Sequence, residues 1–372
     1  MQHKVFVLTM LIAYVLTILI SANKYIQKHP CKDQTSLLIE SKPENNVVVL
    51  IWETENHWTG WGRNGYINWA GYTDSNTLRC RETCVFTSDQ SLYQSSDVVL
   101  FEPQPHGKRG LEYPPRKICG QKYMMFSYET SKYFEIQADP KYLSKMDWKM
   151  TFDAKAEVQI SLTCSWGQEN GIESYRRRIP PLKEKKKFAV FVASNCKRGG
   201  ADKRTAYVKE LMKYIQVDSY GKCLMNQPAD ALNRNTDRDR FTAKMELFKQ
   251  YKFVLAFENS NETDYVTEKL PHAYLGLSLP VYMGAPNVED WTTGDNSIIR
   301  TDQFASPKAL GQYLVKVSKN ETLYNSYFKW KNAPLKESFH RHYNNCVFLA
   351  ECNSCPIELE QQQVLLTTIV IL

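Results

Sequence analysis

Unbroken apolar runs of strand length mark the first half of the chain. Residues 47–52 read VVVLIW, and residues 98–101 and 123–126 repeat the pattern as VVLF and YMMF. Continuous rather than alternating apolar runs predict strands covered on both faces. Between these runs, as far as Pro181, the segments are short, rich in aromatics and punctuated by glycine. An α/β unit is expected here, with helices that the pattern does not place.

Ile179-Pro-Pro-Leu182 and the charged run Lys183-Glu-Lys-Lys-Lys187 mark a boundary. Beyond it two periods alternate regularly. Strands are predicted over 188–193, 253–257, 278–282 and 297–299, and helices over 205–215, 241–250, 266–275 and 307–317. In the first of these helices Val208, Leu211, Met212 and Ile215 share one face. Strands alternating with helices predict a parallel, doubly wound sheet, which binds ligands at the carboxyl ends of its strands.

Residues 5–20 carry no charge and are apolar apart from two threonines. As a helix this run spans roughly 24 Å, close to the ~30 Å hydrocarbon core of a bilayer. It is expected to be an N-terminal transmembrane signal-anchor, with a cleaved signal peptide ending near Ile20-Ser-Ala22 as the rival. Either places the remainder outside the cytosol. Ten cysteines then favour disulfides, since the second close pair or the histidines of a zinc site are missing near Cys80/Cys84 and Cys352/Cys355. Sequons at Asn261 and Asn320 are compatible with that exposure.

The resulting division is a cytoplasmic tail (1–4), the anchor (5–22), a polar stem (23–46), a first α/β domain (47–182), a second (183–345) and a cysteine-containing tail (346–372). With 372 residues, 43% hydrophobic and 23% charged, the chain has ample material for two cores. The net charge of +7 suits an anionic ligand but equally a solvated surface. The lysine run has no interleaved aromatics, so a nucleic-acid partner is not expected. The apolar end 364–372 is too short to span a bilayer.

Candidate chemistry concentrates in FENSNETDYVTEKL, residues 257–270. A strand runs here into a polar loop and then a helix expected to begin near Tyr265, an arrangement that aims backbone N–H groups at an anion. Lys269 in the first turns of that helix opposes the macrodipole, a conflict that an anionic ligand would relieve. Pro271 requires the helix to begin close before it.

This stretch, with SLPVYMGAPNVEDW after it, resembles the donor-site signature of the α1,3-fucosyltransferases. Phe191-Val-Ala-Ser-Asn195, Arg204, the segment 207–211 and Val217-Asp-Ser-Tyr-Gly221 resemble the same family in order and spacing, and GQKYMMFSYET (120–130) resembles its acceptor-domain motif. The resemblance implies two Rossmann-like domains of the GT-B type facing across a cleft, and inverting transfer of fucose from GDP-β-L-fucose. By motif position Glu129 matches the base that takes the acceptor's proton, and Glu268 the acid facing the fucose. Arg204 and Lys269 match phosphate ligands, the first by a bidentate grip, and Ser194, Asn195, Asn259 and Tyr265 match donor-contacting positions. No cofactor is implied as a requirement; a divalent cation such as manganese would at most stimulate. Asp237-Arg-Asp239 has the form of a metal-holding triplet, but it follows no buried strand and reads as a helix start.

Two departures stand out. Asn261 puts a sequon inside the presumed donor loop, where a glycan would obstruct the nucleotide, and Pro271 stands where the family often has a bulky residue. The expected partners are GDP-fucose, a glycan on glycoproteins and a membrane, and the expected location is the Golgi lumen with a type II anchor. Ser194-Asn-Cys196 with Asp218-Ser-Tyr-Gly-Lys-Cys223 resembles members that fucosylate the N-glycan core, or related protein-directed ones, more than the Lewis-antigen type, and the N-glycan core is the expected acceptor. Alternatives are transfer to N-acetyllactosamine, O-fucosylation of a protein domain, or a catalytically silent glycan binder.

Overall fold

The computed structural model describes residues 47–52, 84–87, 90–103, 120–164, 171–228, 232 and 237–345. The expected anchor, stem and C-terminal tail lie outside these residues. Among the described residues no helix is long and apolar enough to cross a membrane.

The apolar runs build two parallel sheets. The first comprises β1 (Val47–Trp52), β2 (Cys84–Thr87), β3 (Val98–Phe101), β4 (Lys122–Ser127), β5 (Trp148–Thr151) and β6 (Val158–Gln159), in the order β2-β1-β3-β4-β5-β6. The second comprises β7 (Lys187–Val192), β8 (Val217–Tyr220), β9 (Tyr251–Phe257), β10 (Leu279–Met283) and β11 (Ile299–Arg300), in the order β11-β10-β9-β7-β8. Every pairing in both is parallel.

The two orders share a pattern: the second strand lies on one side of the first, and the later strands on the other. Winding therefore reverses between β1 and β3, and again between β7 and β9. Such a reversal opens a crevice at the carboxyl ends of the two strands. This is the α/β, GT-B-like architecture with parallel sheets.

In the second sheet the crossovers are α2 (Ala201–Leu211) between β7 and β8, α3 (Asp237–Phe248) between β8 and β9, and α4 (Lys269–Leu275) between β9 and β10. The shorter α1 (Pro140–Leu143) lies between β4 and β5, its first turn capped by the Asp139 carboxylate, which accepts from Lys141 N at 2.8 Å. Three helices follow the second sheet: α5 (Pro307–Ser318), α6 (Glu321–Ser326) and α7 (Glu337–Asn344). Successive side chains of β9 serve opposite cores. Phe253, Leu255 and Phe257 pack with Val208, Leu211, Leu310 and Leu314, whereas Val254 and Ala256 pack with Phe248, Leu270 and Tyr274.

Hydrogen bonds near Thr163 help tie the sheets together. Tyr175 is buried in the core of the second sheet, yet its hydroxyl donates to the carbonyl of Thr163 beyond the first. The end of α7 returns to the same place, where His342 O accepts from Thr163 Oγ1 at 2.9 Å and Asn345 O accepts from Ser161 N at 2.9 Å.

The helix expected to begin near Tyr265 begins instead at Lys269. Side chains claim the backbone N–H groups that would have opened it earlier. Thr267 N donates to Glu258 Oε1 at 2.8 Å and Asp264 N to Asn287 Oδ1 at 2.9 Å, and Asp264 itself takes a positive φ of 65°. Pro271 is consequently the third helical residue, where its missing N–H costs no helical bond.

Candidate active site

The crevice between β7 and β9 is where the second sheet gathers its chemistry. Ser194 and Asn195 leave β7, and Glu258 and Asn259 leave β9. Arg204, one turn into α2, ties the two strand ends together: Nη1 donates to Phe257 O at 2.9 Å and Nη2 to Asn195 O at 2.8 Å. These two bonds use two of the five guanidinium N–H groups, and Nε is buried with no hydrogen-bond partner among the described residues. Both terminal nitrogens bond carbonyls and only 3% of the residue is exposed, so the guanidinium is held firmly behind the crevice. Asn195 is also occupied locally, its Oδ1 accepting from Arg198 N at 3.0 Å and its Nδ2 donating to Arg198 O at 2.8 Å.

The loops meet closely enough to demand glycine. Gly200 adopts φ +94°, and a Cβ there would stand 2.8 Å from Asn259 O. A disulfide from Cys196 to Cys223 joins the loop after β7 to the loop after β8.

Lys269 does not depend on a ligand to offset the helix start. Its ammonium lies 3.1 Å from Glu258 Oε2 and 3.6 Å from Glu268 Oε1, and donates to Thr267 Oγ1 at 2.6 Å. Glu258 is fully buried and also accepts from the Thr267 hydroxyl at 2.7 Å. Burial alone would lower the Lys269 pKa, but Glu258 and then Glu268 raise it above the usual lysine value. Burial works the other way on Glu268, yet Lys269 first and Lys244 next hold its carboxyl well below the usual range. Lys244 reaches Glu268 at 3.9 Å from α3.

Glu129, just beyond the carboxyl end of β4, faces this cluster from the first sheet. Its Oε2 accepts a hydrogen bond of 2.7 Å from the Tyr265 hydroxyl. Burial raises the Glu129 pKa, opposed by the Tyr265 hydroxyl, Lys269 and Asn259, with Glu268 adding to the rise. The seam around this bond comes from both units. Phe152 meets the Tyr265 ring edge-on at 5.1 Å, Ala154 N donates to Asp264 Oδ2 at 3.1 Å, and Lys132 pairs with Glu262 at 3.1 Å. Arg198 lies 4.4 Å over the Tyr133 ring. Asn261 of the sequon is exposed next to Glu262, on the rim of this seam.

The structure thus brings Glu129, Asn259, Tyr265, Glu268 and Lys269 into one constellation, with Arg204 behind it. Ser194 is exposed at the edge of the crevice. Sequence reasoning missed Glu258, Thr267 and Lys244. The glutamate stands inside the recognised stretch, but only its full burial beneath Lys269 reveals its part. Lys244 had as its signal a position one turn before Phe248 on the buried face of α3. Asp237 opens α3, so the Asp237-Arg-Asp239 triplet lies within a first helical turn. Among the described residues no group of three His, Cys, Asp or Glu side chains is placed to hold a metal.

The family model described as glycosyltransferase family 10 (fucosyltransferase), C-terminal part, matches residues 182–368. The chain belongs to glycosyltransferase family 10, the fucosyltransferases. The family match covers the whole second sheet, with its crevice, and α2 to α7. A relative from Xenopus laevis, GDP-fucose protein O-fucosyltransferase 3, is 30% identical over 320 residues, covering 82% of this chain and 63% of its own. The human protein of that name is 38% identical over 159 residues, covering 42% of this chain and 31% of its own. The chain thus spans less than two thirds of the length of the curated relatives it matches. Among solved structures, an α1,3-fucosyltransferase with GDP superposes with a TM-score of 0.56 at 18% identity, covering 86% of this chain and 92% of that one. The same enzyme type with GDP-fucose gives 0.51, covering 87% and 93%. At that identity the likeness is one of fold.

Proposed function

We propose that this chain transfers L-fucose from GDP-β-L-fucose to an acceptor hydroxyl in one inverting displacement. The observation that carries the reading is the meeting of Glu129 with the Tyr265–Lys269 segment across the two sheets, at a hydrogen bond of 2.7 Å. It places a carboxylate of raised pKa opposite a cluster of fixed charges at a nucleotide-binding type of crevice.

In this reading Glu129 takes the proton of the acceptor hydroxyl as its oxygen bonds to C1 of fucose. The bond from C1 to the β-phosphate oxygen breaks, and its electron pair leaves with GDP. Lys269, held by Glu258, stands as a fixed point charge for the negative charge that grows on the diphosphate, with the field of Arg204 behind it. Glu268 stays ionised and faces the sugar, where a carboxylate stabilises oxocarbenium character. These fixed cations do what a metal does elsewhere, so turnover without a divalent cation is part of the proposal.

For the acceptor, the relatives' name favours a hydroxyl on a protein. The N-glycan core expected from the cysteine pattern is the second reading. We further place the enzyme in the Golgi lumen behind the apolar segment 5–22, where Cys196 and Cys223 would oxidise.

The test is transfer from GDP-fucose by the purified protein to three acceptors: a folded peptide domain, a core N-glycan and N-acetyllactosamine. Transfer to the peptide domain alone supports the first reading, and transfer to the N-glycan alone replaces it with the second. No transfer to any, by a protein that melts cooperatively and has the Cys196–Cys223 bond formed, returns the chain to the silent binder. Complete loss of turnover with chelator would overturn the metal-free mechanism.

A further inference from the structure

The hydrogen bond between Tyr265 and Glu129 has a defined proton donor. The Tyr265 hydroxyl is buried and stands near Glu129, Glu258 and Glu268; burial first, and these carboxylates next, hold its pKa well above the usual tyrosine value. It therefore keeps its proton and donates to Glu129 Oε2. Asn259 supports this orientation, its Nδ2 lying 3.4 Å from the Tyr265 oxygen as a donor to it. Phe152, from the segment after β5, packs on the ring and fixes its plane.

The two partners belong to different sheets. Glu129 follows β4 of the first, and its main chain is pinned there by Ser127 Oγ at 3.1 Å and Gln137 Nε2 at 2.9 Å. Tyr265 belongs to the second sheet, in the loop between β9 and α4.

We propose that Tyr265 is a positioning residue for the base: its hydroxyl fixes one oxygen of Glu129 and leaves Oε1 to accept the acceptor's proton, so that the base is aligned only while the two sheets are apposed. This goes beyond a nucleotide-contacting role for Tyr265 and rests on the reading of Glu129 as the base. It gives the closed cleft a chemical function. A carboxylate with a free torsion offers the acceptor a poorly aimed lone pair, whereas one clamped by a neutral donor behaves as the histidine of a triad does under its orienting carboxylate.

The charged and titratable groups facing Glu129 are Tyr265, Lys269 and Glu268 from the segment before and into α4, and Arg204 from α2. Removing only the hydroxyl leaves these charges in place. The bond favours the ionised carboxylate, so its loss moves the Glu129 pKa further up.

The experiment is the pH dependence of kcat, and the donor KM, for Tyr265→Phe in the full chain, beside Glu129→Gln. We expect kcat to fall about tenfold, the KM for GDP-fucose to stay within about twofold, and the acid limb to move to higher pH. An unmoved acid limb with a raised donor KM would overturn the proposal and assign Tyr265 to the nucleotide. If Tyr265→Phe fails to fold, Phe152→Leu, which frees the Tyr265 ring without touching Glu129, is read by the same limb: a shift upward supports the clamp, and no shift overturns it. Glu129→Gln separates the two levels, because retained turnover there removes the base itself, whatever Tyr265 does.

Discussion

Glu258 and Lys269 form an ion pair of 3.1 Å in which the carboxylate is wholly buried and the ammonium nearly so, with Thr267 bonded to both. The carboxylate has no bulk water to fall back on. The pair holds the cation at the mouth of the crevice while three bonds to Glu258 organise the turn that leads into α4.

Glu258→Ala should therefore cost about 3–5 kcal/mol of stability, the usual result of stripping one partner from a buried pair. Urea denaturation measures this. A loss under about 1 kcal/mol would mean that Lys269 finds another partner or turns to solvent.

Glu268 is held ionised by Lys269 and Lys244, so it should contribute nothing to the acid limb of the rate profile. Glu268→Gln is expected to lower kcat about 100-fold, as loss of a transition-state charge does, while the acid limb persists and moves to lower pH, because Glu268 contributes to the raised pKa of Glu129. Rate measurements on either side of that limb decide it, and a limb that vanished with Glu268 would identify it, rather than Glu129, as the titrating carboxylate.

Lys185 is buried with no carboxylate partner among the described residues, donating to Lys249 O, Tyr251 O and Ser278 Oγ at 3.0, 3.0 and 3.1 Å. Burial pushes its pKa down to about 7, from the lysine value of 10.5. Between these values the unfolded chain binds more protons than the folded one, so raising the pH stabilises the fold over this window. Below about pH 7 both states carry the proton and the cost of the buried charge is felt in full. Lys185→Met removes this slope. Denaturation of both proteins at neutral and at alkaline pH should show the wild type gaining on the variant as pH rises, and a gap that closes or reverses would contradict the assignment.

Gly200→Ala places a methyl 2.8 Å from Asn259 O at a φ of +94°. About 1 kcal/mol or more of stability should be lost. Because the loops from β7 and β9 must part to admit the methyl, GDP affinity should fall with it, as measured by calorimetry. Unchanged affinity would mean that the approach of these two loops does not shape the crevice.

Much of the second sheet was legible in the sequence. The apolar runs at 188–193, 253–257 and 278–282 lie within two residues of β7, β9 and β10, because parallel strands buried on both faces leave a continuous signal. The first unit was harder. Strands β2 (CVFT), β5 (WKMT) and β6 (VQ) have polar residues among their two to four positions, so they lack the continuous apolar run that marks β3 at a length of four. Strand β8, with the sequence VDSY, carries Asp218 in the core, where it accepts from Tyr251 at 2.7 Å. No hydrophobicity pattern shows a buried aspartate.

In the site, residue types and motif order pointed to Glu129, Arg204, Glu268 and Lys269, but not to how they are used. That Arg204 spends its fork on two carbonyls, or that Lys269 has Glu258 beneath it, depends on distances between segments more than fifty residues apart or on the exact course of a turn. A linear pattern contains neither.

The bond from Cys196 to Cys223 bears on how the protein is prepared. It closes a loop that includes all of α2 and β8, and it anchors Cys196 beside Asn195, whose carbonyl holds Arg204. Protein made in a reducing bacterial cytoplasm would lack this staple even where both sheets form, and the two loops flanking the crevice would then sample many arrangements. Such a preparation should melt cooperatively, bind GDP weakly and recover on oxidative refolding, so a soluble but inactive sample is no evidence against the enzyme.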